Sequence, residues 1–196
     1  MAMNDTPTGS RAAMPGGVLL PVLLAVLGTL LALSAPAGAA VIRGGDGDDR
    51  LSGTAQADSI RTFGGHDRVF ALQGPDVVSG GDGNDRLKGG PGADVLNGQA
   101  GADRLVAGSD DAVDELHGGP ADDVLFLVAA DRGFADAGDD TIYATDAVQA
   151  TEIQCGDGDD TVVLTDPDPL VTFHDCEHVR EEPAGRPVRV MRGAAG

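Results

Sequence analysis

Large aromatic side chains are almost missing from this chain: it has no tryptophan, one tyrosine, and aromatic residues make up 3% of its 196 positions. A core assembled from bulky rings is therefore not expected. Positive charge is scarce as well. The 13 Lys and Arg face 32 Asp and Glu, a net charge of -19. That balance repels nucleic-acid phosphate and the anionic face of a membrane, and leaves cations or basic surfaces as natural partners. Cysteine is limited to Cys155 and Cys176. In an exported chain an isolated pair of this kind usually forms a disulfide, which stabilises by about 3 kcal/mol on the loop-entropy estimate. A metal site or reactive thiols are the competing uses.

The motifs of common enzymes are missing too. There is no Gly-x-Ser-x-Gly elbow and no Walker loop, and Gly81-Asp82-Gly83 lacks the third glycine of a dinucleotide loop. Asp157-Gly158-Asp159-Asp160 opens like an EF-hand, but no turn glycine or distal glutamate follows at the required spacing. His174 and His178 would share one face of a helix, yet Asp175 stands where a zinc protease needs glutamate. A polar turn around Cys176 is the expectation there. His66 and His117 fall in repeat positions expected to be exposed. No enzyme activity is expected of the chain.

Long hydrophobic runs are limited to one, residues 18–33, interrupted by Pro21, Gly28 and Thr29. Small residues follow, and Ala37-Gly38-Ala39 fits a signal-peptide cleavage site. Residues 1–39 therefore read as a signal peptide. The run falls short of the ~20 apolar residues of a membrane span, and retention as an N-terminal anchor is the alternative. The mature chain is expected to be secreted, extracellular or held at the cell surface, with no membrane contact after cleavage.

What the chain has in abundance is glycine, with 30 copies, and a nine-residue period. Asp49, Asp58, Asp67, Asp76, Asp85, Asp94 and Asp103 recur at that interval, and Leu51, Ile60, Val69, Val78, Leu87, Leu96 and Leu105 follow two positions behind. A strict period means stacked identical units. The first six residues of each unit favour turns, because glycine accepts positive φ and close backbone approach. The last three, such as Arg86-Leu87-Lys88, alternate polar, apolar, polar and form a minimal strand with its middle side chain inward. Two units then make one turn of a flattened all-β solenoid, with a row of loops along either edge. A carboxylate fixed in every loop presents oxygen ligands at one spot, which suits a hard cation. The arginines Arg50, Arg68, Arg86 and Arg104 share the seventh slot of alternate units and are expected to form an exposed ladder.

The pattern, fullest in Gly80-Gly81-Asp82-Gly83-Asn84-Asp85-Arg86-Leu87-Lys88, resembles the hemolysin-type calcium-binding repeats of RTX proteins, G-G-x-G-x-D-x-U-x with U aliphatic. The units at Gly44, Gly80 and Gly89 match best. Those beginning at Gly53, Thr62 and Ala71 have lost glycines. The resemblance covers residues 44–126 and two later units, residues 135–143 and 155–163. It implies a parallel β-roll, a right-handed β-solenoid, with Ca2+ between successive turns. Carried onto this chain, Asp67 faces the loop of Asp85, Asp85 that of Asp103, and Asp76 that of Asp94. The carboxylate ligands so implied are Asp49, Asp67, Asp76, Asp85, Asp94, Asp103, Asp123, Asp140 and Asp160. Asp46, Asp48, Asp82, Asn84, Asp157 and Asp159 are auxiliary. Gly45, Gly47, Gly81, Gly83, Gly90 and Gly92 mark the loops that supply backbone carbonyls.

The expected organisation is thus a signal peptide (1–39), a regular roll (40–126), degenerate repeats with a disulfide-linked cap (127–180) and a disordered tail (181–196). The expected function is a secreted calcium-binding module in which binding and folding are one event. A site of ~0.1 mM affinity in ~1 mM calcium contributes about 1.4 kcal/mol, and about six such sites rival the stability of a whole domain. The alternative is a cell-surface or matrix interaction protein that uses the roll as a platform for an extracellular glycan or protein.

Overall fold

The computed structural model describes residues 38–145, 151–165 and 171–182, and the backbone of Arg189–Arg192. The expected signal peptide lies, but for its last residues, outside them. No helix occurs among the described residues. Strands alternate between two sheets. One carries, in spatial order, β1 (Val41–Arg43), β3 (Ser59–Gly64), β5 (Val77–Asp82), β7 (Val95–Ala100), β9 (Glu115–Pro120), β11 (Arg132–Ala137), β13 (Glu152–Gln154) and β15 (Thr172–His174). The other carries β2 (Arg50–Ser52), β4 (Arg68–Phe70), β6 (Arg86–Lys88), β8 (Arg104–Val106), β10 (Val124–Val128), β12 (Thr141–Thr145), β14 (Thr161–Thr165), β16 (His178–Glu182) and, at its end, β17 (Arg189–Arg192).

Every neighbour in both sheets pairs parallel except β16 with β17. This is a parallel β-solenoid of about seven turns, with two strands to the turn, consistent with a β-roll. The register is the period made visible. Ile60 stands over Ile42, Val78 over Ile60, Leu96 over Val78, and in the other sheet Leu87 stands between Val69 and Leu105. Each strand is too short to persist alone, so pairing and the shared apolar column make it.

The core is these two facing columns, one aliphatic residue per strand through most of the roll, with small residues filling the space beside them and a second inward residue, such as Leu127 and Leu164, on the longer late strands. Leu96, Leu105, Leu116, Leu125, Ile142 and Ile153 are fully buried. Leu105 packs between Leu87 below and Leu125 above. Leu105→Ala is expected to lower the unfolding free energy by about 3 kcal/mol in urea titrations with calcium present. A loss under about 1 kcal/mol would show that the column is not the core.

The roll continues through the stretch where the sequence pattern breaks. The insertion before Asp114 is absorbed in a loop, and Glu115 pairs with Val95 in register. Asp131-Arg132-Gly133 places glycine in the aliphatic slot, and Leu127 of the neighbouring sheet reaches into the vacant space: a methyl group on Gly133 would meet Leu127 Cδ1. Cys155 and Cys176 are bridged, with Cα atoms 5.1 Å apart. Cys155 is buried in the core, so the bridge ties the last inward column to the loop ahead of β16. Two described stretches of the expected disordered tail are strand instead. Glu181 and Glu182 complete β16, and Arg189–Arg192 returns antiparallel along it. The sequence there has strand-forming Val188, Val190 and Met191, which the Arg, Pro and Gly around them obscured.

Candidate metal centre

The periodic aspartates form two rows, one where each loop enters each sheet. Each sends Oδ1 to the backbone N–H of its counterpart one turn earlier. Asp49 N–H donates to Asp67 at 2.7 Å, Asp67 to Asp85 at 2.8 Å, Asp85 to Asp103 at 2.7 Å, Asp103 to Asp123 at 2.7 Å, Asp123 to Asp140 at 2.7 Å and Asp140 to Asp160 at 2.9 Å. The second row runs Asp58, Asp76, Asp94, Asp114, Asp131 in the same way. The facing pairs implied by the repeat pattern, Asp67 with Asp85, Asp85 with Asp103 and Asp76 with Asp94, are therefore in place.

The second carboxylate oxygen divides these residues into two kinds. In Asp67, Asp76, Asp85, Asp94, Asp103, Asp123, Asp140 and Asp160, Oδ2 is buried and has no hydrogen-bond partner. In Asp58, Asp114 and Asp131 it is taken by an N–H of the residue's own loop, from Thr54, Gly108 and Val128. Asp49, in the first loop, likewise accepts from Gly45 N–H at 2.6 Å. A buried anionic oxygen without a partner costs about 1–3 kcal/mol or more, so eight of them in one domain call for a cation.

At three of the unpaired oxygens the neighbourhood is visible through the glycines beside them. A methyl group on Gly80 would collide with Asp85 Oδ2 and with the Gly98 carbonyl one turn on. The same holds at Gly98 for Asp103 Oδ2 and Gly118 O, and at Gly118 for Asp123 Oδ2 and Ala135 O. In these three loops, carboxylate and carbonyl oxygens of adjacent turns thus lie close together beside a glycine. Gly81 and Gly90 adopt φ of 109° and 117°, and a Cβ there would run into the carbonyls of Phe63 and Leu72. Gly83 and Gly92 stand in the same relation to the carbonyls of Gly65 and Gly74. Among the described residues no three His, Cys, Asp or Glu side chains gather at one point. The donor set is one carboxylate per loop plus backbone carbonyls, all oxygen, which fits a hard cation such as Ca2+ and disfavours zinc or copper.

Burial of this kind pushes the carboxyl groups up. Asp76, Asp85, Asp114 and Asp140 are raised to about 6, Asp94, Asp103 and Asp131 to about 7, and Asp123 to about 8. Desolvation is the largest cause throughout. The N–H from the previous turn opposes it, and in most of the series the charge of a neighbouring aspartate adds to it. At Asp58 burial also acts upward, but hydrogen bonds from Thr54 and Ala40 together outweigh it and hold the group below the usual carboxylate range.

The other expected ligands sit apart from the buried oxygens. Asp46, Asp48, Asp82, Asn84, Asp157 and Asp159 are exposed. Several cap backbone N–H groups of the next turn: Asp48 accepts from His66 N–H at 2.8 Å and Asn84 from Ala102 N–H at 3.2 Å. Asp159 pairs with His178 at 2.7 Å. Asp82 ends β5, and Asp157 bridges to Ala137. Gly45 and Gly47 lie in the exposed first loop. His174 ends β15 and His178 opens β16, on different sheets rather than on one helix face. His66 is exposed, whereas His117 is half-buried and stacks on Phe134 with ring centroids 4.7 Å apart.

Three row members escape the nine-residue ruler. Asp131 lies eight residues after Asp123, and its Asp-Arg pair, matching those at 49–50, 67–68, 85–86 and 103–104, was the available signal. Glu177 ends one row, its Oε2 accepting Asp160 N–H at 3.0 Å. Thr151 ends the other, its hydroxyl donating to the Ala129 carbonyl.

A parallel solenoid whose turns share rows of buried carboxylates and convergent carbonyls is a cation-binding repeat module. A family model described as the RTX calcium-binding nonapeptide repeat (4 copies) matches residues 43–78, 79–113 and 129–146. Across residues 43–146 the chain carries the RTX calcium-binding nonapeptide repeat. No curated protein matches it. Residues 114–128, between the matched segments, supply β9 and β10 without a break in the sheets.

Proposed function

We propose that this chain is an exported module, without catalytic activity of its own, whose roll forms as calcium enters the loop rows. The observation that carries this reading is the set of eight buried, unpartnered Oδ2 atoms. Packed without a counter-ion, they oppose the fold; bridged to the carbonyls of the adjoining turn, they would join one turn to the next. Asp67, Asp76, Asp85, Asp94, Asp103, Asp123, Asp140 and Asp160 would hold the ions, and the ion would supply positive charge and coordination to oxygens of two turns at once. Asp58, Asp114 and Asp131, satisfied within their own loops, serve as closures. Export is supported by the signal-like start of the sequence and by the disulfide, which persists in oxidising compartments.

Isothermal titration of the full chain is expected to show several calcium ions bound per molecule, with sub-millimolar to millimolar affinity. Far-UV circular dichroism should gain β-sheet signal over the same range. Identical, well-ordered spectra in calcium and in chelator at neutral pH would refute the coupling of binding to folding.

A further inference from the structure

The outer face of the even-numbered sheet holds a feature that neither the fold nor the calcium rows explain. Arg50, Arg68, Arg86 and Arg104 stand in register on four successive parallel strands. At the strand spacing of about 4.8 Å they span about 14 Å along the roll. Lys88 lies on the same face, and the ring of Phe70, 40% exposed, sits beside it. Five of the 13 basic residues of an acidic chain are thus gathered in one strip.

The repeat does not require arginine there. The seventh slot of the alternate units faces out from the other sheet and holds Val41, Ser59, Val77 and Val95. Like charges directly opposite one another in a sheet are destabilising. Nor are the arginines neutralised. The ion pairs among the described residues join His117 to Glu115, Arg132 to Glu152 and His178 to Asp159, and none includes a member of the column. Arg104 is held in place, its guanidinium 3.9 Å from the ring centroid of Phe126, which stacks on Tyr143 at 4.9 Å. A guanidinium row without ion-pair partners is suited to carboxylate or sulfate groups.

We propose that this column binds a linear acidic polysaccharide. β4, β6 and β8 pair on both sides, so Arg68, Arg86 and Arg104 offer side chains and no backbone edge; β2, which carries Arg50, ends the sheet. Recognition must come from side-chain charge repeated at short, fixed intervals on a stiff ligand, and Phe70 offers an apolar surface for a sugar ring. A series of open rings on which successive nucleotides would stack is missing from the described part of this face, where Phe70 stands exposed beside the column and Phe126 and Tyr143 cover one another.

Calcium gates the site, a point that rests on the calcium reading above. Arg50, Arg68 and Arg86 share a cleft with Asp48, Asp49, Asp67 and His66. With the Asp67 loop empty, all three carboxylates repel a polyanion; with an ion held at Asp67 that repulsion falls and the arginine field gains weight against Asp48 and Asp49.

The test uses the full chain, first titrated with calcium and then with dextran sulfate, neutral dextran, polyglutamate and oligothymidylate. Dextran sulfate is expected to bind in calcium, to weaken with added salt, and to bind far less in chelator. Neutral dextran should not bind. R68Q/R86Q should weaken binding roughly tenfold or more, while R43Q/R61Q, on the opposite sheet, changes it by less than about twofold; calcium uptake and circular dichroism should stay unaltered in both. Dextran sulfate binding that survives R68Q/R86Q would reveal calcium bridging and overturn the proposal. Equal affinity for polyglutamate or oligothymidylate would also overturn it, as would calcium uptake with no polysaccharide binding. Failure of the calcium reading would appear separately, as no heat in the first titration, and the column would then stand or fall on the R68Q/R86Q difference alone.

Discussion

With calcium chelated, the roll is expected to be stable in mild acid and to come apart as the solution is made neutral. The reason lies in the buried carboxyl groups. In the unfolded chain an aspartate titrates near 3.9. In the folded, metal-free chain Asp76, Asp85, Asp114 and Asp140 titrate at about 6, Asp94, Asp103 and Asp131 at about 7, and Asp123 at about 8. Between pH 4 and those values the folded state holds protons that the unfolded state has released, so stability falls as pH rises. The contribution is complete below about 4 and is lost by about 8. Melting in chelator at pH 5, 6, 7 and 8 should show a fall of at least ~10 °C across the series, since 1 kcal/mol moves the midpoint by about 2–4 °C in a domain of this size. In millimolar calcium the trend should flatten or reverse, because the ion replaces the proton as the partner of Oδ2. A metal-free roll that grew more stable from pH 5 to 8 would show that its carboxylates are not buried against their charge.

The second large effect is a pair of isosteric substitutions with opposite signs. Asp103→Asn keeps an oxygen to accept Asp85 N–H and turns an amide donor toward the place where Oδ2 has no partner and the Gly118 carbonyl is close. In chelator at pH 7.5 this variant should be more stable than the parent by about 1–3 kcal/mol. In calcium it should lose at least one ion in titration and gain less from the metal. Asp114→Asn is the contrast. Its Oδ2 accepts Gly108 N–H at 2.8 Å and its Oδ1 accepts Asp94 N–H at 2.8 Å. An amide there sets donor against donor, so stability should drop by about 1–3 kcal/mol in chelator, with calcium uptake nearly unchanged. Matching signs for the two variants in chelator would show that the unpaired oxygens are not a distinct class.

Much of this architecture was legible in the residues. Period, inward column and pairing one turn apart follow from aspartate and aliphatic positions alone, because a parallel in-register stack turns sequence spacing directly into spatial spacing. Where the spacing failed, so did legibility. Asp131 is displaced by one residue and its strand has Gly133 in the aliphatic slot, filled from across the roll by Leu127; only packing reveals that exchange. Asp82 and Asn84 carry the same oxygen donors as Asp85, and composition does not separate them. Depth does: Asp85 is 1% exposed, while the other two face solvent. The distinction between Asp103 and Asp114 is subtler still, since both are buried and both continue a row. It depends on whether the preceding loop curls an N–H back onto the carboxylate.

The pairing interval has an implication for how such chains vary. Carboxylate-to-backbone bonds within the rows span 17, 18 or 20 residues wherever they occur. The entropy lost in closing each segment is therefore about the same for the first pair and the last. A stretch of one turn can be removed or duplicated without asking any distant part of the molecule to find a new partner, and the cost or gain is confined to the two surfaces that newly meet. Overall length is free to drift, while the step size is held fixed.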